Sequence, residues 1–288
     1  MQTLALACDA AGLDCGDAVL MRLGENAVYR LPKVPAVARI ARTVDYARDV
    51  RAEVGVARWL EEADFPAVRL TGPADQPVTV DGRLVTFWEL LPDSDNYGTA
   101  GELAKLLRWL HRLEPPSWLE LLALDPFRRV EPRIELAAVA DDDRRFLLGR
   151  LAELRESYAA LSFALPVGPV HGDANIGNVI RGSDGRAVLI DLDGFAVGPR
   201  EWDLVLTGMY FERYGWHTAD EYREFSGVYG FDVLAWPGYR VLRDVRELLM
   251  VTWLSQNARE RPEIAAELAR RIEDMHNGGD GRRDWRPF

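Results

Sequence analysis

The spacing of apolar residues predicts a strand-rich first part of the chain. Short apolar runs bounded by Gly, Pro, Asn or Asp predict an antiparallel sheet, and the Asp81-Gly82 pair predicts a tight turn before its last strand. An amphipathic stretch at 44–62 predicts a helix after the third strand. The predicted strands of this five-stranded sheet are 18–23, 27–31, 36–41, 66–70 and 84–89.

After residue 91 the apolar spacing becomes mainly helical. One exception is the run Ala187–Ile190, which predicts a buried strand paired with 178–181 through the turn at Asp184-Gly185. We therefore predict an α+β fold in which a sheet with one helix precedes a helical region. The predicted helices are 101–113, 134–139, 145–161, 204–211, 219–228, 239–257 and 263–275.

The residues best suited to catalysis lie around the predicted hairpin. Asp173 is followed five positions later by Asn178, and Asp191 comes directly after the buried strand. Carboxylate and amide oxygens bind Mg²⁺, and a kinase needs such ligands together with a group that orients the attacking hydroxyl. This pattern predicts Asn178 and Asp191 as metal ligands, Asp193 as a reserve ligand and Asp173 as general base. The alternative is that these are ordinary turn residues, since Asp, Asn and Gly dominate turns.

The stretch from Val170 to Leu204 resembles a known family. Its motifs are H-G-D-x4-N at 171–178, I-D at 190–191, Gly198 and W-D-L at 202–204. They are similar to those of the aminoglycoside phosphotransferase and choline kinase superfamily, a branch of the protein-kinase-like fold. The resemblance implies a nucleotide-binding N-lobe at 1–91, with a five-stranded antiparallel sheet and a helix. It also implies a mainly helical C-lobe at 92–288 that carries the catalytic loop and the acceptor pocket, with the nucleotide in the cleft.

The same resemblance assigns roles to the motif residues. Asp173 matches the catalytic aspartate, and Asn178 and Asp191 match the metal ligands. Asp203 matches a structural aspartate that ties down the active-site loops. His171 matches a loop histidine that packs and donates or accepts hydrogen bonds without taking part in the chemistry.

A phosphate-binding cation is also implied, on the third predicted strand. The family usually has lysine there, and this chain has Arg39, with Arg42 as the reserve candidate. Arginine keeps the charge but changes the geometry. Glu53 lies where the family has an ion-pair glutamate. The alternatives are a solvated arginine on the strand and a solvent-facing glutamate on an amphipathic helix.

The segment 88–92 is predicted to be the hinge. Backbone groups at Glu89 and Leu91 are expected to bind the base of ATP, or of GTP, between which the sequence does not discriminate. The neighbouring aromatic residues Phe87 and Trp88 are predicted to lie in the core.

The resemblance also implies that the C-terminal helices bind the acceptor. An aromatic and acidic cluster suited to a sugar or an amine is found there, although each of its residues is also compatible with a role in packing or at the surface. The acidic triplet 141–143 is predicted to be a solvated helix start. The cluster comprises Tyr210, Glu212, Tyr214, Trp216, Asp220, Glu221 and Tyr222.

Composition narrows the classes of function. The formal net charge of −11 argues against nucleic-acid binding, because phosphates would be repelled. The sequence contains two cysteines, shows no apolar run of 18 residues and begins without a leader pattern, so we expect a cytoplasmic protein that contacts no membrane. The oligomeric state stays open.

Together these observations predict a Mg²⁺-dependent kinase that phosphorylates a hydroxyl of an antibiotic, or of a similar sugar or amine metabolite. Family precedent alone favours the antibiotic and a role in resistance. The alternatives are a kinase of choline, homoserine, a fructosamine or a sugar, and a nucleotide-binding regulator without catalysis.

Overall fold

A computed structural model describes residues 2–23, 26–41, 47–73, 75–92, 96–259 and 261–287. The chain forms two compact units. The first comprises residues 1–122 and 171–197, and the second comprises residues 123–170 and 198–288. The sequence suggests a different division, at residue 91, between nucleotide binding and the catalytic and acceptor-binding part. This functional division stays a prediction.

The helices and strands are numbered here in chain order. The helices are α1 Gln2–Ala11, α2 Ala47–Glu62, α3 Ala100–Leu110, α4 Val130–Leu136, α5 Asp141–Ala159, α6 Glu201–Glu212, α7 Ala219–Tyr229, α8 Tyr239–Ser255 and α9 Pro262–Asn277. The strands are β1 Val19–Leu23, β2 Asn26–Leu31, β3 Ala36–Ala41, β4 Val78–Val80, β5 Arg83–Glu89, β6 Val167–Val170, β7 Val179–Arg181, β8 Ala187–Leu189 and β9 Ala196–Pro199. Among the described residues, short 3-10 turns occur at Ile176–Asn178, Leu192–Gly194 and Val233–Ala235.

The first unit contains the predicted five-stranded antiparallel sheet, in the order β1-β2-β3-β5-β4. The predicted α+β class and this sheet are thereby confirmed. The prediction of a strand at 66–70 is wrong, because the fifth strand is β4. Segment 66–70 instead makes two isolated bridges, from Ala67 to Leu189 and from Leu70 to Trp88. Its backbone thus contacts β8 and β5 in turn and follows neither for long enough to become a strand.

Helix α1 was not predicted from the sequence. Its buried residues Leu4, Ala7 and Cys8 recur at helical spacing and pack against the sheet core, which includes Ala38 and Phe87. Phe87 therefore lies in the core, as predicted. The predicted helix at 44–62 is observed from residue 47 onward, since residues 42–46 lie outside the described part.

The second unit is built around α8, which packs against α4, α5, α6 and α9. After α9, the last described residues fold back onto these helices. The ring of Trp285 is 2% exposed and stacks on Tyr214 with 5.3 Å between ring centroids. As far as the structure describes the chain, no helix combines the length and the apolar character that a membrane crossing requires.

Candidate active site

The hairpin of β7 and β8 brings two of the candidate residues together. Val179 pairs with Leu189, so Asn178 and Ile190 are adjacent at the open end of the hairpin. The amide of Ile190 donates to the carbonyl of Asn178 at 3.0 Å. Asp191 follows directly and therefore leaves the hairpin beside Asn178.

Asp173 lies against the same asparagine. The Asn178 side-chain amide donates to the Asp173 carbonyl at 2.8 Å and to its carboxylate at 3.3 Å. Asn175 donates to the same two groups at 3.1 and 3.4 Å. Because Nδ2 of Asn178 is directed at Asp173, its Oδ1 is directed away and can accept an external partner.

His171 connects the loop of Asp173 to the end of β8. Its ring is fully buried. Nε2 donates to the carbonyl of Ile190 at 2.9 Å, and Nδ1 accepts from the amide of Asp173 at 3.2 Å. One nitrogen donates and the other accepts, which requires a neutral imidazole with its proton on Nε2. The ring also packs on Phe195. These contacts are those of a packing and hydrogen-bonding residue.

The two loops that carry the aspartates touch through their backbones. Gly172 has a φ of +91°, and a Cβ placed there would lie 2.2 Å from the carbonyl oxygen of Gly194. Asp191 itself has a φ of 61° and a ψ of 63°, a left-handed conformation that aspartate tolerates better than most residues. The buried side chain of Leu192 anchors the turn that follows. Asp191 is therefore held at a sharp bend, with its side chain exposed to solvent.

Arg39 on β3 is paired with Glu53 on α2. The guanidinium donates to the carboxylate of Glu53, whose side chain is 5% exposed, whereas that of Arg39 is 20% exposed. Burial alone would lower the pKa of Arg39, but the negative charges of Glu53, Asp193 and Asp191 raise it above its usual value. Burial raises the pKa of Glu53, a shift that Asp191 reinforces and Arg39 opposes. The guanidinium is therefore within electrostatic reach of both loop aspartates.

The predicted hinge residues follow β5. The amide of Glu89 donates to the carbonyl of Arg69 at 2.9 Å, and that of Leu90 donates to Pro35 at 2.9 Å. The amide of Arg69 donates to the Glu89 carboxylate at 3.0 Å rather than to its carbonyl. Leu91 is half-buried. The reserve candidate Arg42 lies outside the described residues.

The donor set at the hairpin suits a hard divalent cation. Asn178 presents an amide oxygen, and Asp191 and Asp193 present exposed carboxylates. Within the described ranges, His, Cys, Asp and Glu nowhere form a group of three or more fit to hold a metal ion. A cation here would accordingly rely on Asn178 and the loop carboxylates together with non-protein oxygens, as Mg²⁺ sites that include substrate phosphates do.

The family follows from a comparison with known proteins. The family model described as "APH: Phosphotransferase enzyme family" matches residues 23–245, well over half of the chain. The chain belongs to this family. It is thus a phosphotransferase, and the predicted superfamily and enzyme class, with an alcohol group as acceptor, are confirmed. A comparison with curated proteins finds no match.

Solved structures with the same fold cover nearly the whole chain. An amicoumacin kinase, hAmiN, in complex with AMP-PNP, Ca²⁺ and Ami, has a TM-score of 0.75 at 16% identity and covers 96% of this chain and 94% of its own. The microcompartment-associated aminopropanol kinase has a TM-score of 0.69 at 18% identity, with 95% and 94% covered. Spectinomycin phosphotransferase APH(9)-Ia, in complex with ADP and spectinomycin, has a TM-score of 0.68 at 16% identity and covers 97% of this chain and 95% of its own. These likenesses confirm the kinase-like fold.

The residues of the predicted acceptor cluster all lie in the second unit, and their contacts separate them into two groups. Tyr214 stacks on Trp216 at 4.7 Å, and Tyr210 contacts Trp216 at 4.9 Å. Glu212 accepts from the hydroxyl of Tyr239 at 3.1 Å. This part of the cluster is therefore a packed aromatic group with one half-buried carboxylate beside it.

The rest of the cluster serves α7. Glu221 forms a capping box with Thr218, and Asp220 pairs with Arg223 one turn later. The hydroxyl of Tyr222 donates to Asp232 at 2.6 Å. Asp220 and Glu221 thus have roles in helix capping and charge pairing. The acidic triplet 141–143 is likewise the first turn of α5, as predicted.

Two features of the site escaped sequence reasoning. One is the close contact of Gly172 with Gly194, which joins residues far apart in the chain. The other is Trp88, whose ring lies beneath the Arg39 guanidinium. Trp88 lies on β5 and pairs with β3 near Arg39, so the register of the two strands would have predicted this contact. The sequence alone does not give that register. Asp203, the implied structural aspartate, is fully buried in the first turn of α6.

Proposed function

We propose that this phosphotransferase is a small-molecule kinase that transfers the γ-phosphoryl group of ATP or GTP to a hydroxyl of an antibiotic or a similar sugar or amine metabolite. The observation that supports it best is the position of the Asp173 carboxylate against Asn178, with Asp191 beside them and the Arg39 guanidinium within electrostatic reach of Asp191. A base, oxygen ligands and a phosphate-binding cation are the parts that phosphoryl transfer requires. We further propose residues 1–91 for nucleotide binding and 92–288 for the catalytic loop and acceptor binding.

Asp173 would act on the acceptor. Its carboxylate accepts a hydrogen bond from the acceptor hydroxyl and takes up the proton as the oxygen–phosphorus bond forms. The bond between the γ-phosphorus and its bridging oxygen breaks, and the nucleoside diphosphate leaves. Hydrogen bonds from Asn175 and Asn178 hold the carboxylate in one orientation.

Asn178 and Asp191 would hold Mg²⁺, with Asp193 as a reserve ligand. When bound, the ion neutralises the phosphate charge that develops during transfer. Arg39, oriented by Glu53, would bind the phosphates with its remaining donors. Since the amides of Glu89 and Leu90 are already engaged, the nucleotide base would be bound by the Glu89 carbonyl and the Leu91 amide. The nucleotides in the amicoumacin and spectinomycin kinases support a nucleotide donor here.

The acceptor class rests on the structural neighbours. Amicoumacin and spectinomycin kinases favour an antibiotic acceptor, whereas the aminopropanol kinase favours a small amino alcohol. A panel of antibiotics, sugars and hydroxylated amines, scored by nucleoside diphosphate release, would discriminate between them. A protein that binds nucleotide and phosphorylates none of the panel would favour a regulator without catalysis.

Replacing the proposed base provides the test of mechanism. Asp173→Ala should lower kcat by about 10³-fold while leaving nucleotide affinity within about twofold, because the base contacts the acceptor and not the nucleotide. Turnover and calorimetric titration measure the two quantities. Asp184→Ala is the control, since Asp184 is an exposed aspartate in the turn of the same hairpin. Full activity in Asp173→Ala, or loss of nucleotide binding, would contradict the assigned role.

A further inference from the structure

Arg39 and Trp88 lie on one face of the sheet. Arg39 pairs with Thr86 across β3 and β5, and Val37 pairs with Trp88. Directly paired residues share a face, and diagonal neighbours are within reach of long side chains. The guanidinium carbon of Arg39 accordingly lies over the Trp88 ring, 5.9 Å from its centroid. A cation over an indole face at this distance is attracted to it.

The indole is itself fixed. Its Nε1 donates to the hydroxyl of Thr86 at 2.9 Å, and the residue is 4% exposed. Rotation of the ring would break this buried hydrogen bond and open space in a packed region. The ring therefore offers Arg39 a surface with one orientation.

Arg39 is attracted by carboxylates from helix α2 and from the turn after β8. Glu53 pairs with it directly, and the charges of Asp191 and Asp193, both exposed, also act on it. A long, flexible side chain drawn toward Asp191 and Asp193 would neutralise the carboxylates proposed to hold the metal. The pairing with Glu53 opposes this movement, and a second contact of the guanidinium would oppose it further.

The planar shape of the guanidinium makes two kinds of contact compatible. Its edges donate hydrogen bonds, while its face stacks on an aromatic ring. Glu53 accepts from Nη1, and the Trp88 ring lies within cation–π range of the guanidinium, so Nε and Nη2 are the donors we assign to a phosphate oxygen. A lysine ammonium is also attracted to an indole, but as a compact point charge without a planar face it is held there in no fixed orientation.

We propose that Trp88 is a positioning residue that holds Arg39 for phosphate binding, so that the Arg39–Trp88 pair performs here the task of a single lysine. This inference rests on the proposed function, because it assigns Arg39 to the nucleotide phosphates. It adds a residue on β5 to the phosphate-binding apparatus. It also implies that Arg39→Lys is not a conservative change in this chain.

A double-mutant cycle tests the pair. The four proteins are the wild type, Arg39→Lys, Trp88→Leu and the double variant, and the measured quantity is the Kd of Mg²⁺–ATP and Mg²⁺–GTP by calorimetry. Trp88→Leu should raise the Kd about tenfold when Arg39 is present and less than about twofold in the Arg39→Lys background. Trp88→Phe keeps an aromatic face and should stay within about threefold of the wild type. No acceptor is needed for these measurements.

Trp109→Leu is the matched control. Trp109 is 43% exposed on α3 and packs edge-on against Phe65, so its loss should leave the Kd unchanged. If Trp88 only filled the core, its replacement would raise the Kd equally in both backgrounds, and that additivity would overturn the proposal. A wild-type protein that bound neither nucleotide would instead overturn the proposed function, and this role with it.

Discussion

Gly172 combines a backbone conformation and a neighbour that other residues cannot accommodate. Its φ is +91°, and a Cβ would lie 2.2 Å from the carbonyl oxygen of Gly194, which is backbone and cannot rotate away. Gly172→Ala must therefore separate the loop of Asp173 from the turn that follows Asp191. We expect transfer to fall about 100-fold, since a displacement of about 1 Å can have that effect on a reaction. Steady-state kinetics would measure it.

The control is Gly185→Ala in the turn of the β7–β8 hairpin. Gly185 has a φ of +78°, but nothing lies within 4 Å of the Cβ position. This variant has similar backbone strain, about 1–2 kcal/mol, without the collision. If both alanine variants lost activity equally, strain and not loop separation would be the cause.

Sequence motifs point to the candidate residues of the site, whose roles stay predictions, but not to the contacts between them. Asp173, Asn178 and Asp191 were found because their spacing along the chain follows a motif. The hydrogen bond from Asn178 to Asp173 and the ring of Trp88 beneath Arg39 depend on loop closure and strand register. Neither property is encoded in local spacing.

Among the elements, α3 is tied to the hairpin that carries Asn178. Thr99 and Glu102 form a capping box at its start, and Glu102 also accepts from Arg181 on β7 at 2.8 and 3.2 Å. Partial burial would raise the pKa of Glu102, but the bonds from Thr99 and Arg181 outweigh it and lower the pKa. One carboxylate therefore caps a helix and holds a strand.

Replacing Glu102 by glutamine isolates its charge. Glutamine also serves in a capping box, so Glu102→Gln mainly weakens the pairing with Arg181, with an expected loss of about 1 kcal/mol at pH 7. A lowered pKa in the folded state stabilises the protein above the unfolded-state pKa, about 4.3, and this contribution disappears as the pH falls through the folded pKa. The difference between variant and wild type should therefore shrink below about pH 4.3. Urea unfolding at several pH values would measure it.

Glu221→Gln is the matched control for this element. Glu221 has the same place in the capping box of α7, where its pKa is lowered chiefly by the bond from the amide of Thr218. No ion pair with arginine is observed for it among the described residues. Equal losses in the two variants would show that capping, and not the bond to β7, accounts for the effect.

Most elements could be predicted, and the misses have physical causes. Strands β1, β2, β3 and β5 have apolar runs long enough to show their period. Strand β4 has three residues, too few to show a pattern. The sequence instead predicts the fifth strand at 66–70, a segment that is apolar but bridges two different strands. Helix α1 buries only Leu4, Ala7 and Cys8, so its apolar stripe is narrow.

At the scale of the whole molecule, the candidate site belongs to one compact unit built from two distant parts of the chain. Arg39 and Glu53 come from residues 1–122, and Asp173 and Asp191 come from residues 171–197. The intervening residues 123–170 belong to the second unit. Assembly of the site thus depends on long-range closure of the chain, which explains why apolar periodicity alone does not reveal it.

In the second unit, the last described residues pack back onto the helices. Trp285 is 2% exposed, and its Nε1 donates to Asp274 at 2.7 Å. Arg271 and Arg283 lie over its ring at 4.8 and 5.1 Å from the centroid. The buried Arg213 adds hydrogen bonds to the same segment, including one from the Arg283 amide to its carbonyl at 2.8 Å.

Removing this indole should destabilise the second unit. Trp285→Ala leaves a large cavity and an unpaired Asp274, and we expect the free energy of unfolding to fall by about 3–5 kcal/mol. Trp285→Phe keeps much of the packing but not the bond to Asp274. Its free energy of unfolding should therefore lie between those of Trp285→Ala and the wild type. Trp118→Ala, at an indole that is 52% exposed in the first unit, should change stability by less than about 1 kcal/mol. Chemical unfolding followed by circular dichroism would measure all three, and equal stability of Trp285→Ala and wild type would mean that the folded-back segment contributes nothing to the unit.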